Sequence, residues 1–112
     1  MSADHEHVWL AIPASQEPET VLTAWRIFEV RLEDQSRVLR LVGYCGYEGR
    51  VSSPVTAVGD PAQRQYISRS GRRYQLSGPP GYHPDAMYVY ERIAALDNQL
   101  GRCWRDVTDQ GE

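Results

Sequence analysis

The fold is decided by Trp25-Arg26-Ile27-Phe28-Glu29-Val30-Arg31-Leu32-Glu33, the Asp34-Gln35-Ser36 that follows, and then Arg37-Val38-Leu39-Arg40-Leu41-Val42-Gly43-Tyr44-Cys45. In the first run Phe28, Val30 and Leu32 alternate with Glu29, Arg31 and Glu33. That period of two puts apolar groups on one side of a half-buried strand. Asp34-Gln35-Ser36 has turn chemistry, and the second run returns with Val38, Leu39, Leu41 and Val42, so residues 25–45 are expected to form an antiparallel hairpin.

Downstream, Gly43, Gly46 and Gly49 mark a bend or bulge, and three short strand-like segments follow at 50–58, 65–69 and 72–77. Pro54 removes a ladder donor from the first of these, which places that strand at an edge or breaks it. Ser70-Gly71 supplies a two-residue turn between the last two, with glycine providing the positive φ. Gly78-Pro79-Pro80-Gly81 stops the strands. Asp85 then suits a helix cap, and Ala86, Val89, Tyr90, Ile93 and Leu96 recur at helical spacing, predicting a helix over 84–100 that ends at Gly101. A last edge strand is expected at 103–108. Upstream, His7 to Ile12 reads as a short strand and 13–20, with Pro13 and Pro18, as a loop; residues 1–6 and 109–112 read as disordered tails.

Strands first and helix last predicts an α+β domain: an antiparallel curled sheet or small β-barrel of about five strands with one C-terminal helix packed on it. Its expected core is Trp25, Phe28, Val30, Leu39, Leu41, Val55, Ile67, Leu76, Val89, Ile93 and Leu96. At 112 residues, with 41% hydrophobic and 24% charged residues, the chain has the composition of one folded domain and not of a disordered segment. No apolar run approaches the roughly 18–20 residues that span a bilayer, and the polar, acidic start is unlike a signal peptide. A cytoplasmic protein without a membrane partner is expected. Cys45 and Cys103 lie far apart in sequence and are expected to be reduced, unless the fold brings their Cα atoms within about 7 Å.

Charge is distributed in three blocks. Residues 1–35 carry seven acids and two arginines, residues 36–80 two acids and seven arginines, and residues 81–112 six acids and three arginines. The chain has no lysine, and its net charge is −3. Within the basic block, Arg64, Arg69, Arg72 and Arg73 are interleaved with Tyr66 and Tyr74 around the Ser70-Gly71 turn. Guanidinium forks suit carboxylates and phosphates, and tyrosine faces suit bases. This hairpin is the candidate partner-binding surface, with pairing to the acidic flanks as the alternative use of its charge.

Gly49-Arg50-Val51-Ser52-Ser53-Pro54-Val55, Ser68-Arg69-Ser70-Gly71-Arg72-Arg73-Tyr74-Gln75-Leu76-Ser77-Gly78-Pro79-Pro80-Gly81 and Asp85-Ala86-Met87-Tyr88-Val89-Tyr90 together resemble small proteins carried by proteobacterial prophages and integrative elements. The resemblance covers about half the chain. It brings no assigned activity and therefore no site residues; it implies an accessory protein of a bacterial mobile element.

Catalytic candidates are few. His5-Glu6-His7 places two imidazoles at i and i+2, with Asp4 as a conceivable third metal ligand, but no ligand motif is completed. His83 near Asp85 has the makings of a base and its orienting carboxylate, though both fit a helix start better. Neither cysteine has a base at hand, Ser52, Ser53 and Ser70 lack a hydrolase elbow, and the two prolines of Gly78-Pro79-Pro80-Gly81 have no N–H to offer a phosphate. The sequence therefore points to a non-enzymatic interaction protein with no cofactor and no metal, binding a protein partner. A nucleic-acid-binding module built on the 64–73 hairpin is the alternative, set against a pI of about 5.6.

Overall fold

In the computed structural model, which describes residues 19–108, the hairpin is present with its first strand extended backwards. Strand β1 spans Glu19–Arg31 and β2 spans Arg37–Tyr44, antiparallel, with Val30 opposite Val38 and Ile27 opposite Leu41. Glu19 and Thr20, expected in the 13–20 loop, are thus already strand. The remainder of that loop, the strand expected at 7–12, both expected tails and the His5-Glu6-His7 cluster lie outside the described residues.

A single backbone feature sets the faces of β1. Ala24 takes φ 47°, and the register with β2 slips by one between Thr23 and Arg26. Side chains alternate across a strand, so the extra residue is what lets Thr20 and Leu22 before it share a face with Trp25 and Ile27 after it. All four are buried.

The segment expected at 50–58 breaks at Pro54 into β3 (Gly49–Val51) and β4 (Val55–Val58). A short 3-10 turn over Pro61–Gln63 leads to β5 (Gln65–Ser68), which pairs antiparallel with β6 (Arg73–Leu76) across the turn where Gly71 has φ 90°. Helix α1 covers Pro84–Gln99 and β7 covers Cys103–Asp106. The sheet order is β3-β2-β1-β6-β5-β4, with β7 also on β1. One edge of β1 is taken by β2. The other is divided between β6, parallel along Glu19–Leu22, and β7, antiparallel along Phe28–Arg31.

The fold class is therefore α+β as expected, with two corrections. The sheet is mixed and not wholly antiparallel, because the long excursion from β2 to β5 returns the chain to β1 in the direction that only a long connection allows. It has seven strands and is not closed into a barrel.

Two clusters cover the two faces of β1 and β2. Leu22, Trp25, Ile27, Leu41, Tyr74, Leu76 and Val107 form one, with Leu39, Cys45, Val55 and Tyr66 packed against it. Phe28, Val42 and Ala86 form the other, beneath α1, where Phe28 stacks on Tyr90 at 4.4 Å and both meet the edge of Trp104. The helix stripe differs from expectation: Val89, Tyr90 and Ile93 are only half-buried. Leu96 is exposed, and the buried positions are Ala86 and Asp97. The cap differs too: the His83 Nδ1 accepts from the Asp85 N–H, so His83 and not Asp85 caps the helix, with Pro84 as its first residue. The His83 ring lies flat on Tyr44 at 3.8 Å. Gly49 lets this helix start approach β3, since a Cβ there would stand 2.3 Å from the Asp85 carbonyl oxygen.

Candidate functional site

The arginine hairpin does not present one surface. β6 alternates, so Arg72 and Tyr74 point inward with Leu76 and are buried, while Arg73 points outward beside Ile67 and is exposed. The same alternation leaves Ile67, expected in the core, half-buried. The inward arginine shares the Tyr74 phenol with Arg50, which is itself buried and bonded to Glu48 at 2.7 Å and to the Tyr47 hydroxyl at 3.0 Å. Burial pushes the Tyr74 phenol up, and the two guanidinium groups partly offset this. Tyr66 is half-buried against the first cluster, and Arg64, in a left-handed conformation after the 3-10 turn, places its guanidinium 5.2 Å from the Trp25 ring. Of the six residues singled out, the structure sends Arg72 and Tyr74 into the interior and Arg64 and Tyr66 onto the flank of the core. Arg64, Arg69 and Arg73 remain exposed.

Arg69 is brought to a different place, a pocket of about 190 Å³ lined by Val30, Leu32, Val38, Arg40, Pro54, Arg69, Asp97 and Arg102. Val30 and Val38 are directly paired, and Arg40, opposite Phe28, continues the same face of β2. The hairpin tip reaches this face because the Arg69 N–H donates to the Pro54 carbonyl at 2.7 Å, while the Ser52 backbone and hydroxyl both bond Leu41 of β2. The end of α1 and the turn before β7 close the far side with Asp97 and Arg102.

Three of the four charged lining groups are held in place. Arg40 donates through Nε to the Ser52 carbonyl at 2.8 Å, lies 5.1 Å above the Trp104 ring and comes within 4.0 Å of the Asp97 carboxylate. Its side chain is 21% exposed. Burial pushes the Arg40 guanidinium below its ordinary value and neighbouring Arg69 and Arg102 add to this, while Asp97 opposes it. Asp97 accepts from the Trp104 Nε1–H at 2.8 Å and from Arg102 at 3.2 Å. Arg102 also forks onto Glu33 at 2.9 and 3.3 Å. Arg69 alone among these three arginines has no ion pair or side-chain hydrogen bond among the described residues. Three guanidinium groups thus converge on one pocket that Val30, Leu32, Val38 and Pro54 also line.

Arg40, Asp97 and Arg102 were not singled out by sequence. Asp97 carried a signal: it falls four residues after Ile93 and seven after Tyr90, on the buried stripe, where a carboxylate must be paired. Arg40 interrupts an apolar strand in the same way.

The other sequence candidates are engaged structurally. The Cys45 thiol donates to the Glu48 carbonyl, and Cys103 is exposed near Arg31. The two cysteines sit at opposite ends of the β1–β2–β7 ladder, roughly 25 Å apart at 3.3 Å per residue, so no disulfide joins them. Ser52 bonds the Ser53 carbonyl and the Leu41 N–H. Ser70 meets the Ser68 hydroxyl, and the Ser70 N–H donates to Ser53. The Trp25 Nε1–H donates to the Gly78 carbonyl at 3.0 Å, and the Gly81 N–H donates to the Trp25 carbonyl, so the Gly-Pro-Pro-Gly turn serves the core. Among the described residues no helix is long and apolar enough to cross a membrane, and no cluster of three or more metal-ligating side chains occurs. Compared with protein families, curated proteins and solved structures, the chain has no match.

Proposed function

We propose that this protein is a non-enzymatic binding domain that holds a protein partner by seating one of the partner's carboxylates in the pocket of Arg40, Arg69 and Arg102. The observation that carries this is the Arg69 guanidinium, which borders the pocket without an acid of its own among the described residues, beside an Arg40 already sheltered from water. A guanidinium next to two others is repelled by both, and an incoming anion relieves that repulsion in a site where screening by water is reduced. The engagement of Cys45, Ser52 and His83 in local hydrogen bonds supports a binding and not a catalytic role. The further proposal of a mobile-element accessory protein acting in the cytoplasm on a host or phage macromolecule rests on the sequence resemblance.

The splitting of the hairpin favours a protein over a nucleic acid. Bases need accessible aromatic faces beside the cations. Tyr74 is buried and Tyr66 half-buried, so the hairpin offers Arg64, Arg69 and Arg73 without the stacking platform. A fluorescence-polarisation titration tests this, using a labelled acidic peptide with a free C-terminus and a single-stranded oligonucleotide of equal length at two salt concentrations. The peptide is expected to bind the native protein and to lose at least tenfold in affinity with Arg69→Gln. Tighter binding of the oligonucleotide, with a steep salt dependence, would overturn the proposal in favour of the nucleic-acid alternative.

A further inference from the structure

We infer that the pocket takes a carboxylate joined directly to a short aliphatic group, the chemistry presented by the C-terminal residue of a polypeptide ending in a small apolar side chain. This rests on the carboxylate-binding proposal above and goes beyond it by specifying which carboxylate.

Three observations lead there. The first is charge. Arg102 is occupied by both Glu33 and Asp97, and Asp97 faces the same cavity, so the three arginines and two acids leave a net of one positive charge for a ligand. A monoanionic carboxylate neutralises that charge. A phosphate dianion brings an excess negative charge against the fixed Asp97 carboxylate.

The second is the mixed lining. Val30, Leu32, Val38 and Pro54 line the pocket together with Arg40, Arg69 and Arg102, so apolar and cationic groups border one small space. A glutamate or aspartate side chain has only a thin methylene stem to set against the aliphatic residues, whereas a C-terminal valine or alanine carries its apolar group and its carboxylate on the same carbon. The third is size. The pocket, about 190 Å³ and bounded by eight residues, is on the scale of one chain end and its carboxylate. Arg40 is pre-positioned by Ser52 and Trp104, and Arg69, exposed at the hairpin tip, borders the same pocket, so one cation is fixed to orient the carboxylate and the other is available to it.

The test is a set of titrations followed by backbone amide NMR shifts on the whole protein. Its probes are a peptide ending in free valine, the same peptide amidated at its C-terminus, an amidated peptide containing glutamates, isobutyrate and inorganic phosphate. The free-valine peptide is expected to bind at least tenfold more tightly than its amide, the glutamate peptide and phosphate, to shift residues 38–40, 69 and 97–102, and to lose at least tenfold with Arg69→Gln. Because Arg69 is exposed, the variant should keep the native spectrum outside the pocket, which separates loss of binding from loss of fold. Equal binding of the amidated valine peptide, or tighter binding of phosphate, would overturn the inference. Arg69-dependent binding of the glutamate peptide in preference to free valine would also overturn it while leaving the carboxylate-binding proposal standing. Isobutyrate binding as tightly as the peptide would reassign the pocket to a free small acid, and no binding by any probe would overturn both proposals.

Discussion

Asp97 is the residue on which the end of the helix and the pocket both depend. Its carboxylate accepts from Trp104 and Arg102 and faces Arg40, and its carbonyl accepts the Arg102 N–H at 2.9 Å. Replacing it with asparagine turns one acceptor oxygen into a donor facing arginines, so Asp97→Asn should cost about 1–3 kcal/mol in urea unfolding. Asp106 answers to pH. Burial raises its carboxyl, but hydrogen bonds from the Thr108 hydroxyl and N–H and from Arg26 outweigh that and hold it below its ordinary 3.8. With the folded pKa below the unfolded one, its contribution is complete above that value and is lost as pH falls below about 3.8. Asp106→Asn should therefore be less stable than the native protein at pH 6, with the gap closing toward pH 2, as read by urea melts at both ends. Asp106 was hard to see in sequence because its arginine partner lies far away along the chain: Arg26 and Asp106 are 80 residues apart.

At the scale of elements, packing and backbone geometry make separable demands. Gly49→Ala forces a Cβ against the backbone of Asp85 and Ala86 and should cost about 1–3 kcal/mol through overpacking, visible as a lower urea midpoint. Gly71→Ala meets open space and bears only the strain of its positive φ, on the order of 1–2 kcal/mol. The core gives a similar contrast. Trp25→Ala should cost about 3–5 kcal/mol, whereas Leu96→Ala should stay within about 0.5 kcal/mol because Leu96 is 53% exposed. Most strands and the helix were legible because each is written in local periodicity, turn residues and Pro or Gly stops; β2, β5, β6 and α1 begin and end within two residues of expectation. The departure at the end of the helix stripe has a physical cause. Leu96 and Asp97 are adjacent and both lie near the apolar stripe, so hydrophobicity favoured the leucine. The fold instead turned the carboxylate inward because Trp104 and Arg102 were there to receive it.

For the molecule as a whole, what local pattern could not show was which strands meet. The hairpin predicts its own pairing, but nothing in Glu19–Leu22 announces β6 as its parallel neighbour, and the bulge at Ala24 that aligns the two halves of β1 has no glycine or proline to mark it. The arrangement also separates the cysteines. Both thiols should titrate with a thiol reagent in the native protein, exposed Cys103 faster than half-buried Cys45, and reductant should leave the thermal midpoint unchanged. The divided edge of β1 sets an order of events in time. During synthesis this strand leaves the ribosome ahead of both elements that complete its edge: its first half waits for residues 73–76 and its second half for residues 103–106. The hairpin can form early, but the nascent domain then carries an open, aggregation-prone strand edge for most of its length of travel. Sequence separations this large slow refolding relative to a local helical domain of the same size.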